Sequence, residues 1–174
     1  MNRLKTVLGK LISPTQSSFV PGRQISDNII IVQEVLHSMR RKQGKVGYMA
    51  IKIDLEKAYD RIRWPFIRET LQEAQLPRDM VEVIMNCVTT TSIKMLWHGT
   101  PMKVFQPTRG IRQGEPLSPY LFVLCMERFG HIIAYALREG VWRPIFASRG
   151  GPPLSHLFFA DDLILFGEAT LEQA

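Results

Sequence analysis

The segment HLFFADDLILF (residues 156–166) constrains the fold of this chain more than any other stretch. Two apolar, aromatic-rich runs, 154–159 and 163–166, read as strands, and the ADD between them leaves room only for a tight hairpin turn. That turn carries Asp161 and Asp162. Paired Asp residues are ordinary turn formers on solvent-facing hairpins. Here apolar strands on both sides set the pair against a core, where two adjacent carboxylates do not both ionise cheaply without a cation. A third acid, Asp54, lies near the end of another strand, YMAIKIDL (48–55). In that strand Ile51, Ile53 and Leu55 point to one face, and Ala50, Lys52 and Asp54 to the other. Three carboxylates from two adjacent strands suit a pair of Mg²⁺ ions about 3.5–4 Å apart, the arrangement used for in-line phosphoryl transfer. Whether Asp54 meets Asp161 across 107 positions is a question for the fold.

Around these strands the chain alternates helical periodicity with turn signals. Residues 1–12 have a short helical pattern, and SPTQSSFVPGRQ is a loop. Ser26 reads as the cap of a helix in which Ile25, Ile29, Val32, Leu36 and Met39 recur at three- and four-residue steps until Gly44 and Gly47. Pro65 opens a helix to about Gln75, and Asp79 caps the next through Cys87. Residues 92–97 and 102–106 form a hairpin around HGTP. After the loop TRGIRQGEPLSP, Ser118-Pro119 starts a helix to about Glu139 whose first half is apolar nearly all round and therefore buried. No repeat or linker interrupts this order. It predicts one α+β unit, with helices on one face of a mainly antiparallel sheet.

Charge adds a partner class. Lys and Arg number 22 and Asp and Glu 16, a net +6 with a pI near 9.6. Residues 1–45 hold eight basic groups against Asp27 and Glu34, which accounts for the whole excess. A basic end on a neutral body suits a polyanion, although a solvated helix face carries the same pattern. The longest apolar run, Tyr120 to Met126, is seven residues, far short of the roughly 18 of a membrane span. The start, MNRLKTVLGKLISP, lacks the apolar core of a secretion signal. The expectation is an intracellular protein, of nucleus and cytoplasm, that does not engage membranes. Cys87 and Cys125 both lie in helical patterns and read as buried free thiols.

Four strings, in this order, carry a resemblance. QSSFVPGRQISDNIIIVQEVLHSM, AIKIDLEKAYDRIRW, TRGIRQGEPLSPYLF and FFADDLILF are similar to the successive motifs of the reverse transcriptase domain of LINE-type, non-LTR retrotransposons, and more distantly to group II intron reverse transcriptases. The resemblance covers nearly the whole chain. It implies a polymerase palm-like antiparallel sheet packed against helices with part of the fingers, residues 1–47 forming the finger-to-palm segment and 48–174 the palm. The implied activity is RNA-directed DNA polymerisation: a primer 3′-hydroxyl attacks a nucleotide α-phosphate, with Mg²⁺, or alternatively Mn²⁺, as cofactor. RNA template, DNA primer and deoxynucleoside triphosphates are the implied partners.

Roles follow at matching positions. Asp54, Asp161 and Asp162 match the family's catalytic, metal-binding acids, the last being the less direct ligand. Tyr59 matches the aromatic that crowds the sugar 2′ position. Gln113 and Gly114 match the loop lining the nascent base pair. Gln16, Phe19, Arg23, Arg109 and Arg112 fall where the family touches template or primer. Glu115 departs from the Asp or Cys common at its position, and an extra acid beside a nucleotide site is unfavourable. The resemblance also places finger, thumb and endonuclease regions outside these 174 residues, so the chain alone is not expected to extend a primer. A catalytically inactive nucleic-acid-binding remnant would share every motif. A nucleotidyl cyclase would not need the RQGEPLSP loop.

Overall fold

A computed structural model describes residues 2–148 and 150–173. In chain order the elements are α1 (Asn2–Leu11), α2 (Ile25–Arg41), β1 (Gly47–Asp54), α3 (Ala58–Arg61), α4 (Trp64–Glu73), α5 (Arg78–Thr89), β2 (Leu96–Trp97), β3 (Thr100–Pro101), α6 (Ser118–Arg138), β4 (Ile145–Phe146), β5 (Pro153–Leu154), β6 (His156–Phe159) and β7 (Asp162–Ala169). The central sheet has the order β1-β7-β6 and is antiparallel throughout.

Three helix starts differ from the sequence expectation by a residue or two. Gln24 and Pro77 hold extended ψ values of 136° and 140°, so α2 and α5 begin directly after them, whereas Leu117 before α6 is already helical (φ −84°, ψ −32°). Ser26, Asp79 and Ser118 therefore stand inside the first turn rather than at the cap. There Asp27 and Asp79 still face the positive end of the helix dipole. The predicted hairpin turns tightly at His98-Gly99, both with positive φ (47° and 78°), which brings Thr100 and Pro101 into the strand.

Helices cover both faces of the sheet, not one. Phe158, Leu163, Leu165 and Ile53 point into the main core with Leu4 and Leu8 of α1, Ile67 and Leu71 of α4, Ile84 and Met85 of α5, and Phe122 of α6. The alternate residues Leu157, Ile164 and Phe166 face the other way, onto Val35, Val32 and Met39 of α2 and Ile145 of β4. The cause is legible in β7. Its Leu163-Ile164-Leu165-Phe166 run is apolar at consecutive positions, so each face needs a cover. On the α2 face, cover extends over Ile164 and Phe166 but the acid end of the sheet lies beyond it.

The axis of the main core is α6, in which residues 121–127 are all buried. By length and composition α6 is long and apolar enough to cross a membrane, yet it is packed among the other helices. Its Cys125 is buried, and burial pushes the thiol up to about 12. Cys87 instead lies on the outer side of α5 and is exposed, correcting the expectation of two buried thiols. A thiol reagent at neutral pH will therefore titrate one cysteine in the native chain and the second only after unfolding. Two fast equivalents would show that α6 is not packed as described.

Candidate active site

The β1–β7 register settles where Asp54 goes. Asp54 stands directly opposite Asp162, on the sheet face shared by Lys52 and Ile164. Directly opposed residues have Cβ atoms about 4.5–5.5 Å apart, so the two carboxylates face one another across the ladder. Asp162 pairs back to Phe159, and the two residues between them, Ala160 and Asp161, form the turn, with Ala160 in the left-handed region (φ 52°). Asp161 thus projects from the tip beside the Asp54–Asp162 pair.

Lys52 sits among these acids. Its Nζ lies 3.0 Å from Asp162 Oδ1, and the hydrogen bond and charge of Asp162, with the fields of Asp54 and Asp161, raise the ammonium above its ordinary pKa. Among the described residues no three His, Cys, Asp or Glu side chains form a ready-made metal cage. The donor chemistry nevertheless fits a hard divalent ion: acceptor-only carboxylate oxygens at one sheet end, already drawing a cation to themselves.

Tyr59, on α3, stacks flat on Phe122, with ring centroids 4.4 Å apart and planes within 7°. Burial, and secondarily the charge of Asp161, raise the phenol's pKa, which places Tyr59 within the field of the acid turn. The loop before α6 is stitched to α3. Ile111 N donates to Tyr59 O at 2.9 Å, Gly110 N to Ile62 O at 2.7 Å, and Trp64 Nε1 to Gly110 O at 2.8 Å. Gly110 (φ 88°) has no substitute, because a Cβ there would meet Asp60 O at 2.8 Å. This stitching presents Gln113 and Gly114 at the surface next to Tyr59's helix. The extra acid Glu115 is answered locally, by Arg112 at 2.8 Å. Arg109 lines a cavity of about 270 Å³ with Asp60, Trp64 and Gln113.

Two of the expected template contacts face inward instead. Gln16 is 1% exposed; its Oε1 accepts from Ser18 N at 2.9 Å and from Ala160 N at 3.4 Å, and its backbone bridges to Phe158. The Arg23 guanidinium is consumed by backbone carbonyls, those of Ile12 (2.7 Å), Gln16 (2.6 Å) and Ser13. The physical reason is shared: this loop meets β6 at an isolated parallel bridge, Gln16 to Phe158, and its carbonyls need donors away from water. Gln16 and Arg23 therefore brace the acid turn rather than reach for a template. Of the three residues expected there, Gln16, Phe19 and Arg23, Phe19 alone is exposed, held at φ 58°. Sequence reasoning missed Asn28, buried at 3%, whose Nδ2 donates to Phe158 O at 3.1 Å and Thr15 O at 3.3 Å. A polar residue preceding the apolar run of α2 was its signal. It also gave Lys52 no role, although the alternation of β1 put it on the face of Asp54.

The model of the family described as reverse transcriptase (RNA-dependent DNA polymerase) matches residues 1–174. Over 98% of its length the chain is 31% identical to the Transposon TX1 uncharacterized 149 kDa protein of Xenopus laevis. Over 91% it is 33% identical to the retrovirus-related Pol polyprotein from type-2 retrotransposable element R2DM of Drosophila melanogaster. It spans 12% and 14% of those two proteins. Among solved structures, the apo telomerase of Candida tropicalis truncated from its C-terminal domain superposes with a TM-score of 0.67 at 14% identity, over 99% of this chain and 33% of that one. Telomerase from Candida albicans, in complex with a TWJ fragment of telomeric RNA, gives 0.65 at 15% identity, over 95% and 29%. At such identities the likeness shows the fold alone.

Proposed function

The chain belongs to the reverse transcriptase family, and on that premise we propose that it is the palm core of an RNA-directed DNA polymerase within a longer retrotransposon-type parent protein. In this reading residues 1–47 lead from fingers to palm, and 48–174 form the palm. The observation that carries the proposal is the pairing of Asp54 with Asp162 at one sheet end, with Asp161 in the adjoining turn.

Asp54, Asp161 and Asp162 would hold Mg²⁺, or Mn²⁺ in its place. A divalent ion there supplies the charge neutralisation that lets a primer 3′-hydroxyl attack the α-phosphate of a deoxynucleoside triphosphate. The rest is positioning by the chain itself. The Tyr59 ring, fixed by its stack on Phe122, offers a flat wall to the sugar, and Gln113 and Gly114 offer backbone and amide to the new base pair. Exposed Phe19 suits stacking with a template base, and Arg109 and Arg112 suit phosphates, Arg112 after leaving Glu115. Template sequence is read by base pairing, in an intracellular setting of nucleus or cytoplasm.

The test is primer extension on poly(rA)·oligo(dT) with Mg²⁺ or Mn²⁺, using the chain within its parent protein. No synthesis under either metal would remove the polymerase reading. The same assay examines Tyr59. Tyr59→Val opens the space under the sugar and should raise ribonucleotide incorporation relative to deoxynucleotide by about tenfold, a plausible size for a steric pocket change. Tyr59→Phe keeps the ring and the ratio. An unchanged ratio in the valine variant would reduce Tyr59 to a core aromatic.

A further inference from the structure

Among the described residues, the one recorded ion pair to any of the three acids is Lys52–Asp162. Its geometry is not that of an ordinary cross-strand pair. The residue directly opposite Lys52 is Ile164, and the ammonium bypasses it to reach Asp162 diagonally, two positions along the same face. Asp54 is the next residue of β1 on that face, so the lysine leans toward the acid end from the side already covered by α2. Both partners are well exposed, at 63% and 41%, and such pairs add little to folding stability. What the placement does accomplish is local: one positive charge set where three negative charges gather.

We propose that Lys52 is the resident counter-ion of the acid site, holding Asp162 in the metal-free chain and giving it up when a divalent cation enters. The proposal rests on the metal-binding reading above. The lysine offsets the mutual repulsion of the acids and competes with an incoming ion. Metal entry then releases the ammonium toward solvent or toward the phosphates of a bound nucleotide. It follows that Lys52 weakens metal affinity, the reverse of what a metal-supporting residue would do.

The experiment is Mn²⁺ binding to the 174-residue chain, followed by electron paramagnetic resonance of the free ion at low ionic strength, with no nucleotide or primer. Lys52→Met removes the charge and keeps most of the stem. It should tighten Mn²⁺ binding by about fivefold to tenfold, the scale of one charge a few ångströms away in near-aqueous surroundings. Lys52→Arg retains the charge and should bind like the wild type. Raising the salt should shrink the difference. With Asp162→Asn in the background, the gain from Lys52→Met should fall below about twofold. Unchanged or weaker binding in Lys52→Met overturns the proposal, as does silence in both wild type and variant, since removing the lysine would then have opened nothing. Binding that appears only in Lys52→Met supports it. Failure of the metal reading shows separately: Mn²⁺ binding indifferent to Asp54→Asn and Asp161→Asn would place the ion elsewhere, whatever Lys52 does. Circular dichroism of each variant reports folding, which an exposed lysine should leave intact.

Discussion

Asp161→Asn in the parent protein will lower primer extension by at least about a thousandfold, the upper range for removing one preorganised electrostatic group from a site. Binding of primer–template should stay within about twofold. The first expectation follows from position. Asp161 is a tip residue of a two-residue turn whose neighbour Asp162 is locked into the ladder opposite Asp54 and already engaged by Lys52. Unlike Asp162, it makes no ion pair among the described residues, so an incoming cation displaces no lysine to reach it. The second follows from chemistry, because nucleic-acid affinity comes mainly from phosphate contacts by basic groups elsewhere. Asn matches Asp in shape and is equally at home in a turn, so the hairpin should survive. Asp162→Asn should cost less, since its carboxylate already serves a lysine. Extension within tenfold of wild type in Asp161→Asn would move the chemistry away from this turn.

How far the sequence reveals such a site depends on whether the signal is local. The ADD turn was legible because two continuous apolar runs flank it and nothing but a hairpin fits between. The buried first half of α6 was legible because its apolar residues leave no polar stripe. The meeting of Asp54 with Asp162 is a matter of register between strands over a hundred positions apart, and here the family resemblance supplied what spacing did not. The inward turn of Gln16 and Arg23 was hidden for another reason. Both are polar residues in a polar loop, and only the tertiary placement of that loop beside β6 creates carbonyls in need of donors. The second cover on the sheet was within reach: Leu163 to Phe166 alternates nowhere, which already requires burial on both faces.

The brace behind the acid turn makes the fold sensitive to acid through a residue outside the chemistry. His156 begins β6, buried at 6% exposure, with Nδ1 2.8 Å from Ser155 Oγ and Nε2 3.1 Å from Thr15 Oγ1, its ring edge-on to Phe158. Thr15 in turn accepts the backbone N–H of Phe158 at 2.9 Å. Burial lowers the His156 pKa to about 4, while an unfolded histidine titrates near 6.5. The unfolded chain therefore binds a proton that the folded chain refuses. Stability from this group is complete above about pH 6.5 and is lost progressively as pH falls toward 4. The gap corresponds to at most about 3 kcal/mol, against the 5–15 kcal/mol roughly typical of a whole domain. Urea unfolding at pH 7, 5.5 and 4.5 measures it. His156→Gln, which stays neutral, should be less stable at pH 7 yet show a pH profile flatter by about 2–3 kcal/mol. Parallel profiles for the two proteins would mean that His156 takes up its proton without disturbing Thr15 or the strand it anchors, and the brace would then be looser than these distances require.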